Sequence, residues 1–168
     1  VRPEHLSLPT PCSDWDVQAL VNHVLLGTRM SVQVLAGVAR EEVIAGLDDD
    51  LFAASEDPVA AFVELANQMV DGFSGPDGLD GVVAHPAGDF PRSMFIGFRV
   101  ADSAVHAWDL ATAIRAEVQL DADMVEFLWE DAQPQREMLV ASGMFGAGAS
   151  ATLGDDAPLQ TRYLDLVG

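Results

Sequence analysis

Apolar residues recur at helical spacing along most of this chain. Val17, Leu20, Val21, Val24, Leu25, Val32 and Leu35 follow the i, i+3, i+4 pattern and predict a helix from about Asp14 to Val38. Ser13 is a good N-cap for it, Asp16 stands in the capping-box position, and both Asp14 and Asp16 suit the positive end of the helix dipole. Asp57–Pro58 reads as an N-cap followed by proline at the first helical position. Val59, Phe62, Val63, Ala66, Met69, Val70 and Phe73 then define a second helix, ended by Gly72–Gly75, with Glu64 and Gln68 facing solvent. A third, central helix is expected from Pro91 to about Arg115. A fourth is capped by Asp121 and carries Met124, Phe127, Leu128, Ala132, Met138 and Leu139, with a break or kink at Pro134. Pro158–Val167 has the length and pattern of a short closing helix.

The segments in between are less regular. Val1–Cys12 holds Pro3, Pro9 and Pro11 and is an irregular lead-in. Glu41–Glu56 is acidic and poorly periodic, as expected of a loop with a short turn. Pro76–Pro91 is rich in glycine and proline, and Val82–His85 within it is expected to be extended, as a residue before proline usually is. Ala116–Gln119 is a short break. Gly143–Gly154 is a glycine-rich loop without the GK[ST] of a phosphate-binding motif. The pattern predicts one domain over residues 1–168, all-α, a four-helix bundle with a short extended or hairpin segment before the central helix.

The central helix is unusual in what it places on one stripe. At about 100° per residue, Phe95, Arg99, Asp102, His106, Asp109 and Ala113 fall within an arc of about 80°. Ile96, Val100, Val105, Trp108, Leu110 and Ile114 spread around the other sides, as on a buried helix. Buried Arg, Asp and His must pair with one another or ligate something, because unpaired buried charge costs several kcal/mol. Asp102 and His106 stand at i, i+4, a spacing by which one helix gives two ligands to one metal ion. Two readings stay open on these residues alone: a metal site, or an Arg99–Asp102–His106 hydrogen-bond network. His23 lies mid-helix between Ala19 and Gly27, small neighbours that leave room near the imidazole, and is either a satisfied core residue or a third ligand.

Composition narrows the partners. There are 27 acidic residues against 8 arginines and no lysine, a formal charge of −19. Such a charge argues against a nucleic-acid backbone or an anionic membrane surface. The single cysteine, Cys12, rules out an internal disulfide and makes a cytoplasmic setting the expectation. No apolar run approaches about 18 residues.

PTPCSDWDVQALVNHV and HPAGDFPRSMFIGFRVADSAVHAWDLA together resemble a known family. They are similar to actinobacterial metal-binding relatives of the mycothiol-dependent maleylpyruvate isomerase N-terminal domain, within the DinB/YfiT-like superfamily. The carrying motifs are PTPC…W…L…H, ending at His23, and [DE]xxxHxWDLA, from Asp102 to Ala111; FGAG…DAPLQTRYLDLVG resembles the family's closing segment. The resemblance implies a DinB-like helical bundle with a divalent metal on His23, Asp102 and His106. Asp102 stands where the characterised isomerase has glutamate. Zinc is the expected metal, with nickel and iron also compatible with these ligands. Asp109, Arg99 and Asp16 lie on stripes suited to supporting the ligands, and Cys12 could reach the metal. His85 is a further candidate near the site. The family usually carries another helix before PTPC, whereas eleven residues precede Cys12 here. A missing helix would expose an apolar groove, which a homodimer would cover.

Three functions follow as expectations. The first is a transferase or isomerase that uses a low-molecular-weight thiol such as mycothiol, with the metal activating a thiol or water and Arg99 contacting a substrate carboxylate. The second is a non-catalytic module binding metal and a small ligand. The third is a structural bundle with a buried polar network.

Overall fold

The computed structural model describes residues 1–137, 141 and 153–167. Helices account for most of them, with a small antiparallel hairpin as the β-structure described, which is the all-α, DinB-like class. The chain divides into two compact units, residues 18–99 and residues 1–17 with 100–168.

In the unit of residues 18–99, α1 (Val17–Leu35) starts three residues later than the periodicity suggests. Pro9 and Asp16 pair as an isolated bridge, and Val17 N–H donates to Leu8 O at 3.0 Å. Ser13, expected to cap, therefore lies in the turn between the two bridged residues, and the helix begins only past it. At the other end Val38 N–H reaches Gln33 O and Gly37 N–H reaches Val34 O, with Gly37 at φ +75°. This is a Schellman stop, and it ends α1 short of Val38 because glycine takes the left-handed position freely.

The acidic stretch expected to be a loop contains two short helices, α2 (Arg40–Ala45) and α3 (Leu51–Ala54). Long-range polar pinning explains the difference. Arg29 pairs with Asp49 at 2.9 Å and also donates to Gly46 O. Asn22 bonds Asp49 O and Phe52 N, while Asp50 caps α3 by accepting from Ala53 N. Val43 anchors α2 in an apolar cluster with Met30, Val34, Val83 and Phe95.

The second long helix, α4 (Pro58–Ser74), is capped as expected, Asp57 accepting from Val59 N and Ala60 N at 3.0 Å. Glu64 and Gln68 are exposed. So are Val59, Phe62, Val63 and Val70, and no residue of α4 is fully buried. The hairpin pairs β1 (Val82–His85) with β2 (Gly88–Pro91), Val83 opposite Phe90 and His85 opposite Gly88. Only Val83 of β1 is buried, consistent with side chains alternating across a strand.

The central helix, α5 (Arg92–Ala113), begins directly after β2. Arg92 N–H donates to Gly81 O, and its guanidinium to Gly72 O at 2.8 Å. Phe95 is fully buried and Phe98 packs at the edge of the same cluster.

In the other unit, the lead-in opens with a 3-10 turn at Pro3–His5. Asp121 caps α6 (Ala122–Ala132) by accepting from Asp123 N and Met124 N. A 3-10 turn over Gln133–Gln135 contains Pro134, which thus ends α6, as its missing N–H predicts. The closing helix, α7 (Leu159–Val167), buries Tyr163, Leu164, Leu166 and Val167 against Val125, Leu128 and Ala132 of α6 and Ala104 and Val105 of α5. Each such buried aliphatic side chain contributes about 1.5–3 kcal/mol. Met138, Leu139 and residues 143–152 of the glycine-rich stretch, including FGAG, lie outside the described residues.

Candidate metal centre

The C-terminal half of α5 sets out a short polar chain. Asp102 and His106 face each other one turn apart, Oδ1 to Nε2 at 3.7 Å. On the other side of the ring, His106 Nδ1 lies 2.9 Å from Asp109 Oδ2. Asp109 is only 2% exposed. An ionised carboxylate only accepts hydrogen bonds, so Nδ1 is the nitrogen placed to donate to Asp109, and Nε2 is the one that faces Asp102. A carboxylate behind a histidine, fixing its tautomer and raising its basicity, is the usual support of a metal-ligating imidazole.

Cys12 completes this chain from the lead-in. Its Sγ lies 3.4 Å from the same Asp109 oxygen, so one buried oxygen accepts from both a thiol and an imidazole. Burial, the negative charge of Asp109 and the hydrogen bond to it push the Cys12 thiol up to about 11, against a smaller opposing effect of Thr10. The thiol is thus a neutral donor at ordinary pH. The PTPCSDW turn that presents it is closed by Thr10, whose Oγ1 donates to Trp15 O at 2.8 Å and whose N–H donates to the same carbonyl. Trp15 in turn lays its ring 5.9 Å from that of His106.

The donor chemistry fits a metal. Two ligands about 2.1 Å from a tetrahedral ion stand about 3.4 Å apart, close to the separation of Asp102 Oδ1 and His106 Nε2. Both side chains are partly accessible, Asp102 at 24% and His106 at 13%.

The remaining sequence candidates lie on α1, on α5, in the hairpin and in the segment before α1. His23 is half-buried on α1. The room left by Gly27 is filled by Arg99: a Cβ on Gly27 would stand 3.2 Å from the guanidinium. Arg99 is 7% exposed. Asp16 is exposed in the bridge before α1. His85 sits in the hairpin among Phe90 and Phe95, each ring at 5.6 Å, and its Nδ1 accepts from Ala87 N at 3.1 Å. The sequence allows Cys12 to reach the metal but carries no signal for its hydrogen bond to Asp109 or for the packing of Trp15 beside His106, although both residues stand in the PTPC…W motif.

The helical fold and the Asp102–His106–Asp109 stripe define a DinB-like helical domain with a metal-type donor set. More narrowly, the chain belongs to the mycothiol maleylpyruvate isomerase N-terminal domain family, whose model matches residues 1–111. It is also similar to an uncharacterised protein of Mycobacterium tuberculosis, present in two strains, with 34% identity over 124 residues. That match covers 74% of this chain and 63% of the mycobacterial protein, so the chain spans under two thirds of the relative's length. No solved structure matches the chain significantly.

Proposed function

We propose that this domain holds one divalent metal ion on His23, Asp102 and His106 and serves a transferase or isomerase reaction that uses a mycothiol-type thiol. The observation that carries the reading is the His106 ring, held at Nδ1 by buried Asp109 with Nε2 presented beside Asp102. His23 enters the set through the family's PTPC…W…L…H motif, and it lies within the matched segment. Two imidazoles and one carboxylate leave coordination positions open, as in catalytic sites. Zinc suits this set first, and nickel or iron also fit.

A metal bound there would lower the pKa of a thiol or water. The chain's own residues do the rest. Asp109 keeps His106 in one tautomer, and Trp15 packs beside its ring. Arg99 carries the buried positive charge that would meet a substrate carboxylate. Cys12, held protonated by burial and by Asp109, is not the nucleophile, so the reacting thiol comes from outside the chain.

Elemental mass spectrometry of the purified protein tests the metal. About one ion per chain is expected, lost in His106→Ala and in Asp102→Asn made in the Cys12→Ser background, and kept in Cys12→Ser alone, with folding checked by circular dichroism. Wild type that stays metal-free after incubation with zinc and nickel would overturn the reading. A loaded protein then warrants a screen for transfer to or from low-molecular-weight thiols.

A further inference from the structure

We propose that Cys12, His106 and Asp109 form a second, thiophilic metal site, separate from the Asp102 side of His106 and selective for a soft divalent ion such as zinc or cadmium. One ligand atom from each of the three residues lies within 4.8 Å of the other two. Sγ to Oδ2 is 3.4 Å and Nδ1 to Oδ2 is 2.9 Å. Ligands on a tetrahedral zinc ion are about 3.3–3.7 Å apart, so the three donors need only small shifts to surround one ion.

The charge count favours this set in a buried place. A thiolate and a carboxylate bring two negative charges and the imidazole none, so a dication makes the assembly neutral. Neutrality matters at Asp109, where burial makes net charge expensive. In the metal-free arrangement two donor protons converge on one carboxylate oxygen, and the ion takes their place. The Cys12 proton leaves to solvent. The His106 proton moves from Nδ1 to Nε2, freeing the Nδ1 lone pair. No electron transfer is involved. Sulfur ligation selects zinc or cadmium over magnesium and calcium.

The two sites share only His106 and use opposite ring nitrogens, so a neutral imidazole serves one of them at a time, and the variants tell them apart. Cadmium titration of the whole chain, followed by the ultraviolet thiolate-to-cadmium absorption, reads Cys12 ligation directly. Wild type and Asp102→Asn are expected to show the band, saturating at one cadmium per chain. Cys12→Ser should lack it, and Asp109→Asn should bind about tenfold or more weakly. Absence of the band from wild type at saturating cadmium would overturn the proposal. So would its loss in Asp102→Asn, an equal affinity in Asp109→Asn, or one cadmium shared by two chains. The wild-type and Asp102→Asn spectra decide the matter even if Cys12→Ser fails to fold. Failure here leaves the Asp102-dependent metal content untouched, and the converse also holds.

Discussion

His85 illustrates how a single residue's chemistry is set by neighbours that its own segment does not contain. Pro86 makes the extended backbone at His85 legible from sequence, but the ring contact with Phe95 and the approach of cationic groups come from folding. Burial first, then the positive charges of Arg99 and Arg40, lower its pKa below 6.5. The folded state therefore resists protonation where the unfolded chain accepts it. This contribution to stability is fully present above pH 6.5 and is lost as pH falls through the lowered folded value. Thermal melts across this range should show wild type losing stability more steeply below pH 6.5 than His85→Gln. Parallel slopes would show that His85 is not the group responsible. The same distinction applies at the site. The stripe of Asp102, His106 and Asp109 follows from helical spacing alone, and so does the pairing of His106 with its neighbours at i−4 and i+3. The Cys12 hydrogen bond to Asp109 joins residues 97 positions apart, and no local rule anticipates it.

Helix ends show where local chemistry is enough and where it is not. Asp57 and Asp121 cap α4 and α6 as their sequences suggest, because a carboxylate at the N-cap needs only the next few N–H groups. The stop of α5 is less obvious. Ala116 N–H reaches Ala111 O and Arg115 N–H reaches Thr112 O, a Schellman pattern in which Arg115 takes φ +56°. Glycine does this at no steric cost, whereas a residue with a Cβ loses about 1–2 kcal/mol in the left-handed region. Arg115→Gly should therefore raise stability by about 1 kcal/mol in denaturant unfolding, after the greater unfolded-state freedom of glycine is discounted. An unchanged or lower midpoint would mean that the arginine side chain offsets its backbone strain. At the start of α1, by contrast, a good N-cap residue was overruled. Ser13 sits in a turn fixed by the bridge of Pro9 to Asp16, and a sheet-like pairing across seven positions outweighs a cap worth about 1 kcal/mol.

For the whole molecule, the dominant electrostatic fact is the formal charge of −19. Among the described residues the pairs Arg2–Glu4, Arg29–Asp49, Arg40–Asp89 and Arg162–Asp155 involve four of the eight arginines, and 27 acidic residues against eight arginines leave a large excess of negative charge. Exposed ion pairs contribute at most about 1 kcal/mol each, while like-charge repulsion acts across the surface. Salt shortens the Debye length from about 30 Å at 0.01 M to about 3 Å at 1 M. The melting temperature should accordingly rise with sodium chloride over that range. A fall would show that the arginine pairs outweigh the repulsion.

The amino-acid sequence by itself determined the helical class, the main helices, their aspartate caps, the break at Pro134 and the polar stripe of α5. These are decided within a few residues, by periodicity, capping and side-chain spacing. Tertiary structure decided what those elements meet. It turned an acidic loop into α2 and α3 by bringing Arg29 and Asn22 to it, and it laid Arg99 over the missing side chain of Gly27. It left the apolar positions Val59, Phe62, Val63 and Val70 of α4 exposed, and it carried Cys12 to Asp109. Each of these depends on the path of the backbone over tens of residues, where long-range burial and charge pairing outweigh local preference.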